Sequence, residues 1–461
     1  MQLKRVHLMG FLGGIIMLSL CGHSMAQEKG WVNLFDGKTL TGWKVMAGKA
    51  KYEVADGAIV GTSVPNSGNT FLVTEKEYGN LVFEVDIKIE DTSSNSGIQV
   101  RSHFDPAANN GKGKVFGRQC EADPSFRKWT GGIYDEGRRG WLYPLDLNAD
   151  AKSVFKVGEY NHFTVECIGD EMKTWVNGKA CAYLVDTIDS KGFIGLQVHA
   201  VKNESLAGKK IYFKNIRIKT GKLSPMDFDK GIYVADLVPN RLTDYEKKSG
   251  WKLLFDGKTN KGWQSMNGNF FPKKGWEVKE GVITVFSSEG KESQNGGDIV
   301  TDEQFSTFDL SFDFKMTPGA NSGVKYFVTL KDDSKMSAIG LEYQILDDSL
   351  HPDAKAGRNG NRTMASLYDL ITANKPKRFI RPMGAWNTGR VVVYPDNRVE
   401  HYFNGVKVLE YVRGSKEYRG LVAISKYHVW PNFGEAPEGH ILLQDHGNEV
   451  SFKNIKIRSL K

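Results

Sequence analysis

Gly340-Leu341-Glu342-Tyr343-Gln344-Ile345-Leu346-Asp347 is a stretch of strand-forming residues whose pleat sends Glu342 and Gln344 to one face and Tyr343 and Ile345 to the other. The first face is polar and suited to a ligand; the second is suited to a core. An earlier stretch, Gly117-Arg118-Gln119-Cys120-Glu121-Ala122-Asp123, repeats the plan with the pair reversed, Gln119 and Glu121 standing at the same offsets from a glycine. A carboxylate and a carboxamide two residues apart can orient a hydroxylated ligand, because one accepts hydrogen bonds or a proton and the other both donates and accepts. The alternative is a merely solvated sheet face, and recurrence within a larger repeat strengthens the binding reading.

That repeat has the size of a domain. Trp31-Val32-Asn33-Leu34-Phe35-Asp36-Gly37-Lys38, with Gly42-Trp43, returns as Trp251-Lys252-Leu253-Leu254-Phe255-Asp256-Gly257-Lys258, with Gly262-Trp263. Asn95-Ser96-Gly97 returns as Asn321-Ser322-Gly323, Ile133-Tyr134-Asp135 as Leu367-Tyr368-Asp369, and Phe213-Lys214-Asn215-Ile216 as Phe452-Lys453-Asn454-Ile455. Asn177-Gly178 and Asn404-Gly405 sit between alternating runs, as hairpin turns do. Short alternating runs without amphipathic helices between them predict an all-β chain of two tandem β-sandwich domains, residues 27–221 and 250–461, joined by a linker at 222–249. Ile232-Tyr233-Val234 in that linker predicts that it packs on a domain.

Residues 1–26 carry Lys4 and Arg5, an apolar run from Leu8 to Leu20 and the small-x-small site Ser24-Met25-Ala26, the pattern of an export signal peptide. A periplasmic protein is expected, with lipid anchoring through Cys21 as the alternative. Beyond that peptide only Cys120, Cys167 and Cys181 remain, an odd count that makes buried free thiols the expectation and leaves stability to core packing. The 62 Lys and Arg are interspersed with 54 Asp and Glu, with no basic block, so no nucleic-acid partner is expected. No later apolar run is long enough for a membrane span.

The sequence contains no Gly-x-Ser-x-Gly, His-Glu-x-x-His, Walker loop or Cys-x-x-Cys, which sets aside the common serine-hydrolase, zincin, nucleotide and zinc-module readings. What recurs is carboxylate, amide, cation, histidine and aromatic, a set suited to carbohydrate. Gln197 and His199, like Gln444 and His446, stand two apart on a strand, in a proton-transfer, metal-ligand or structural role. Gln99 and Arg101 share a face by strand alternation, and Lys325 takes the place of Gln99 in the second half, where a cation can stabilise an oxyanion. Asp36-Gly37 and Asp256-Gly257 read as turns capped by their own aspartates.

Taken in order, Leu-Phe-Asp-Gly, Asn-Ser-Gly, Glu-Tyr-Gln-Ile-Leu-Asp, Leu-Tyr-Asp, Trp-Asn, Asn-Gly-Val-Lys-Val, Leu-Gln-Asp-His-Gly and Phe-Lys-Asn-Ile resemble the 3-keto-disaccharide hydrolase domain, over nearly the whole mature chain and twice. The resemblance implies concanavalin-like jelly rolls and an exported hydrolase of glycosides already oxidised at C3, hence a functional link to a sugar 3-oxidoreductase. The second half matches closely at Glu342, Gln344, Asp347, Tyr368, His401, Gln444 and His446. The chemistry so implied is abstraction of the C2 proton, β-elimination at C1 and rehydration. It assigns the base to Glu342 or His446, the oxyanion to Lys325 or a bound divalent metal ion, and leaving-group help to Tyr368 or His401. The first half departs from the pattern, with Thr174 in place of His401, and its expected contacts to sugar are Arg101, Gln119, Glu121, Tyr134, Trp141, Gln197 and His199. A non-catalytic, lectin-like sugar-binding protein is the rival reading. Mass spectrometry of the exported protein is expected to give an N-terminus at or near Gln27; an acylated Cys21 would replace the periplasmic assignment with a lipid anchor.

Overall fold

The computed structural model describes residues 30–330 and 338–461; the expected signal peptide, with Cys21 and Gln27, lies outside the described residues. The described chain is two jelly-roll β-sandwiches. In the first, a seven-stranded sheet runs in the order Gly140–Tyr143, Ile133–Glu136, Lys114–Ala122, Ser96–Asp105, Phe193–Val198, Thr70–Thr74, Trp43–Met46 and faces a nine-stranded sheet. In the second, a five-stranded sheet ordered Trp263–Ser265, Ile299–Phe305, Gly439–Leu443, Asn321–Leu330, Ala338–Leu346 faces an eight-stranded one. In each half the last long strand returns beside the first, Lys210–Thr220 beside Trp31–Asn33 and Val450–Ser459 beside Lys252–Leu253.

Alternation explains the layering. Cys120 and Ala122 enter the first core and Tyr343 and Ile345 the second, while the residues between them point out of the sandwich. The three cysteines are free and buried. Asn177-Gly178 and Asn404-Gly405 close their hairpins with positive φ at both positions, 50° and 77° in the first and 48° and 83° in the second, the geometry whose twist matches that of paired strands. Asp36 and Asp256 accept the backbone N–H groups two and three residues on.

The connection packs rather than floats. Ala235–Asp236 adds a parallel strand beside Leu184 and Val185. Tyr233 packs in the first core, its hydroxyl 2.9 Å from that of Ser311, and the Lys456 ammonium bonds the buried Glu246 of the short helix Asp244–Lys248 at 2.5 Å. From the second half, Trp251, Phe379 and Val406 join the first core cluster. No helix among the described residues is long and apolar enough to cross a membrane.

The fully buried Asp309 binds Arg390 through both oxygens, at 2.6 and 2.8 Å, and Arg458 at 2.9 Å; Arg458 in turn donates to the Gly231 carbonyl of the connection. Burial raises the pKa of Asp309, but Arg390 and Arg458 outweigh it and hold the group below the ordinary aspartate range. A folded-state pKa lower than the unfolded one means this carboxylate stabilises the fold above the ordinary aspartate pKa and loses that contribution as pH falls. Asp309→Ala strands two cations and is expected to cost ~3–5 kcal/mol, read as a lowered unfolding midpoint; an unchanged midpoint would show that the arginines find other partners.

Candidate active site of the second half

The strands Asn321–Leu330 and Ala338–Leu346 floor a cleft of 690 Å³. Lys325 and Glu342 are directly opposed across the ladder, so the cation and the carboxylate project together from the outward face. Gly323 is the neighbour that makes room: a Cβ there would lie 2.6 Å from Glu342 Oε1. Burial of Glu342 raises its pKa, and the nearby Lys325, Lys426 and His446 only partly offset this. Desolvation pulls the Lys325 ammonium the other way, yet Glu342, Asp298 and Glu292 outweigh it and keep the lysine charged.

A second line of groups runs beside this pair. Gln344 Nε2 donates to Asn321 Oδ1 at 3.4 Å, and Asn321 Nδ2 donates to His446 Nε2 at 3.3 Å. The Oε1 atoms of Gln344 and Gln444 are buried without a hydrogen-bond partner in the structure. Both residues line the cleft, and an orphaned buried acceptor is satisfied at low cost by a ligand hydroxyl. Opposite stands an aromatic wall. The Tyr368 hydroxyl donates to Asp353 at 2.7 Å, Lys426 Nζ lies 4.2 Å from the Tyr368 ring centroid, and Tyr427 stacks on Phe433 at 3.8 Å. Asp353, Lys426, Tyr427, Trp430 and Glu292 also line the cleft but carry no sequence signal, because they stand on loops and short turns without a period.

Four of the expected site residues are placed elsewhere. His401 shares the inward face of Arg398–Phe403 with Val399 and Phe403 and is fully buried. Its Nδ1 donates to the Ala365 carbonyl and its Nε2 accepts from the Tyr326 hydroxyl, and burial pushes its pKa down to about 4, so it is a neutral core histidine. Asp347 spends its carboxylate on Gly319, Ser349 and Leu350 and builds a turn. Arg101 sits at φ 50° in a β-bulge, which re-aims its side chain onto the carbonyls of Gly79 and Gly169. Gln197 faces outward but lies beneath Gln119 and Glu136, both of which it bonds.

The first half repeats the floor with different chemistry. Gln99 and Gln119 occupy the opposed positions of Lys325 and Glu342 and hydrogen-bond to each other at 3.0 Å. Glu121 therefore has no cation opposite, and burial pushes its pKa up to about 8. The hairpin of Ile133–Glu136 and Gly140–Tyr143 extends this sheet, where the described residues of the second half have an isolated bridge from Tyr343 to Leu367. The resulting cleft is smaller, 360 Å³, and is lined by Gln119, Glu121, Tyr134, Trp141 and His199.

Among the described residues no three His, Cys, Asp or Glu side chains group as a metal site built from those ligands would have them. Lys325 places a cation at the cleft floor.

The sequence model of the family described as 3-keto-alpha-glucoside-1,2-lyase-like domain matches residues 30–219 and again 250–458. A Bacteroides thetaiotaomicron protein named 3-keto-disaccharide hydrolase is 37% identical over 232 residues, 46% of this chain and 79% of its own length. A crystal structure from Parabacteroides distasonis, provisionally named a glycosyl hydrolase, shares 31% identity over 49% of this chain and all of its own, with a TM-score of 0.42. A Bacillus subtilis carbohydrate-binding module shares 18% identity over 40% of this chain and 98% of its own, with a TM-score of 0.28. With both halves matched, the chain belongs to the 3-keto-alpha-glucoside-1,2-lyase-like family.

Proposed function

We propose that the second cleft hydrolyses glycosides or disaccharides already oxidised at C3 of the sugar. The observation that carries this reading is the opposed pair of Lys325 and Glu342 on a desolvated face, beside the unsatisfied acceptors of Gln344 and Gln444. A C3 ketone acidifies the C2 hydrogen. The Glu342 carboxylate takes that proton, and the electron pair moves onto the C3 oxygen, where the Lys325 ammonium stabilises the enediolate. Collapse of the enediolate re-forms the ketone, makes the C1–C2 double bond and breaks the bond from C1 to the leaving oxygen, which takes a proton from His446. Water then adds at C1, giving its proton back to His446, and C2 recovers its proton from Glu342, so the sum is hydrolysis. Tyr368, whose hydroxyl is committed to Asp353, orients the sugar and does not serve as the acid. Such a substrate requires a preceding reaction that oxidises a sugar C3 hydroxyl to the ketone.

The surroundings of the two carboxylates support the second half as the working one. A base is favoured by cations that stabilise its ionised form: Lys325, Lys426 and His446 flank Glu342 and partly offset its burial, whereas burial pushes Glu121 up to about 8 with no cation opposite it. Glu342→Gln is therefore expected to lower kcat on a 3-keto-disaccharide by ~10²–10⁴-fold, and Glu121→Gln to do far less. In the parent enzyme kcat/KM should fall as pH drops through the raised pKa of Glu342, an acid limb above the ordinary glutamate value of about 4.3, and the substitution should remove that limb. Equal activity of parent and Glu342→Gln, or cleavage of the unoxidised disaccharide alone, would end this reading. Proton abstraction is checked separately: turnover in heavy water is expected to place deuterium at C2 of the released sugar, and its absence would argue for a route through an oxocarbenium ion.

A further inference from the structure

The cleft of the first half is completed by the second. Arg378, Phe379, Arg381 and Asn404 close one side of it, on a segment fixed at three points. Phe379 is buried in the first core against Trp129, their centroids 5.8 Å apart. Asn404 Nδ2 donates to the Phe379 carbonyl at 2.8 Å, and Arg381 donates to the Trp386 carbonyl.

The charges at this cleft fall into two groups. Arg127 pairs with Asp123 at 2.8 Å, and Arg139 pairs with Asp135 and Asp186, so the first half neutralises its own guanidinium groups. Arg378 and Arg381, supplied by the second half, make no ion pair among the described residues; Arg378 is held by ring contacts to Trp129 and Phe379 at 5.3 and 5.1 Å. Beneath them Glu121 and Glu136 accept only from amides, Gln119 and Asn95 for one, Asn69 and Gln197 for the other. Burial pushes Glu121 up to about 8 and holds Glu136 above its ordinary value, shifts that favour the neutral forms and weaken their repulsion of an anion. Trp141, edge-on to Trp129 at 4.7 Å and to Tyr134 at 5.3 Å, supplies an aromatic surface of the kind sugar rings pack against.

We infer that this cross-domain cleft is a non-catalytic binding site for a uronate residue, its ring against Trp141 and Tyr134 and its carboxylate on Arg378 and Arg381. The missing lysine and the Gln99–Gln119 amide pair remove the base and the oxyanion cation but leave the donors and acceptors that hold hydroxyls. The volume, 360 Å³, lies within the range of small-ligand sites, and planar guanidinium groups suit a carboxylate. The uronate binding inferred here does not depend on the reaction proposed for the second cleft; its being non-catalytic rests on that reading.

The test is calorimetric titration of the full chain with D-glucuronate, D-glucose and D-glucose 6-sulfate. Glucuronate is expected to bind at least tenfold more tightly than glucose. The double variant Arg378→Gln/Arg381→Gln should abolish that preference while changing glucose affinity less than twofold. Arg381→Gln alone leaves the ring contacts of Arg378 in place and should give a smaller loss in the same direction. Lys325→Met, in the other cleft, should leave glucuronate binding unchanged. Equal affinity for glucuronate and glucose, survival of the preference in the double variant, its loss in Lys325→Met, or stronger binding of the 6-sulfate than of glucuronate would each overturn the assignment.

Discussion

A strand can bury one face only by offering the other, and in each half of this chain the offered face becomes a cleft floor. In the second half the constraint is sharper, because a glutamate lying flat across a neighbouring strand needs that strand to carry no side chain at the point of overlap. Gly323 meets this need. The carboxylate then rests beside a lysine rather than reaching into water, and its basicity follows from burial set against the cations around it. Gly97 performs the same service for Gln119, whose Cδ would lie 2.5 Å from an added Cβ. The two floors thus share one backbone arrangement and differ in the chemistry they carry.

That difference comes down to a few exchanges. Exchanging the opposed lysine and glutamate for two amides keeps the cross-strand placement, introduces a hydrogen bond of 3.0 Å between them and removes both charges. Moving the carboxylate two residues along places it opposite Gly97, where no cation can hold it ionised. The hairpin that extends the first sheet narrows one cleft, while loops and the short turn Pro352–Lys355 frame the wider one.

The fold was legible because it rests on period-two alternation and on turns whose glycines and asparagines are dictated by positive φ. The floor of the second site was legible for the same reason: Glu342, Gln344, Lys325, Gln444 and His446 lie on or directly after strands. His401 belongs to the core, and the sign of it lay in the sequence, since Val399 and Phe403 flank it at core parity. Arg101 could not be placed from alternation, because a bulge breaks the count just where it stands. Asp353, Lys426 and Tyr427 were invisible, since their approach to the cleft depends on how loops lie over a sheet and not on any repeat along the chain. The same holds for Arg378 and Arg381, which serve a cleft whose floor was written more than two hundred residues earlier.

The two Asn-Gly turns show how duplication alters mutational freedom. Around Gly178 a Cβ would meet nothing within 4 Å, so only its left-handed φ restricts it, and asparagine or aspartate can stand there with little strain. At Gly405 an added Cβ would come within 2.9 Å of the Pro144 ring, across the boundary between the halves. One copy of the turn is free to drift in evolution; the other is fixed by a proline of its sister domain, so the joint between the sandwiches is guarded by a residue that looks, in sequence, like any other hairpin glycine.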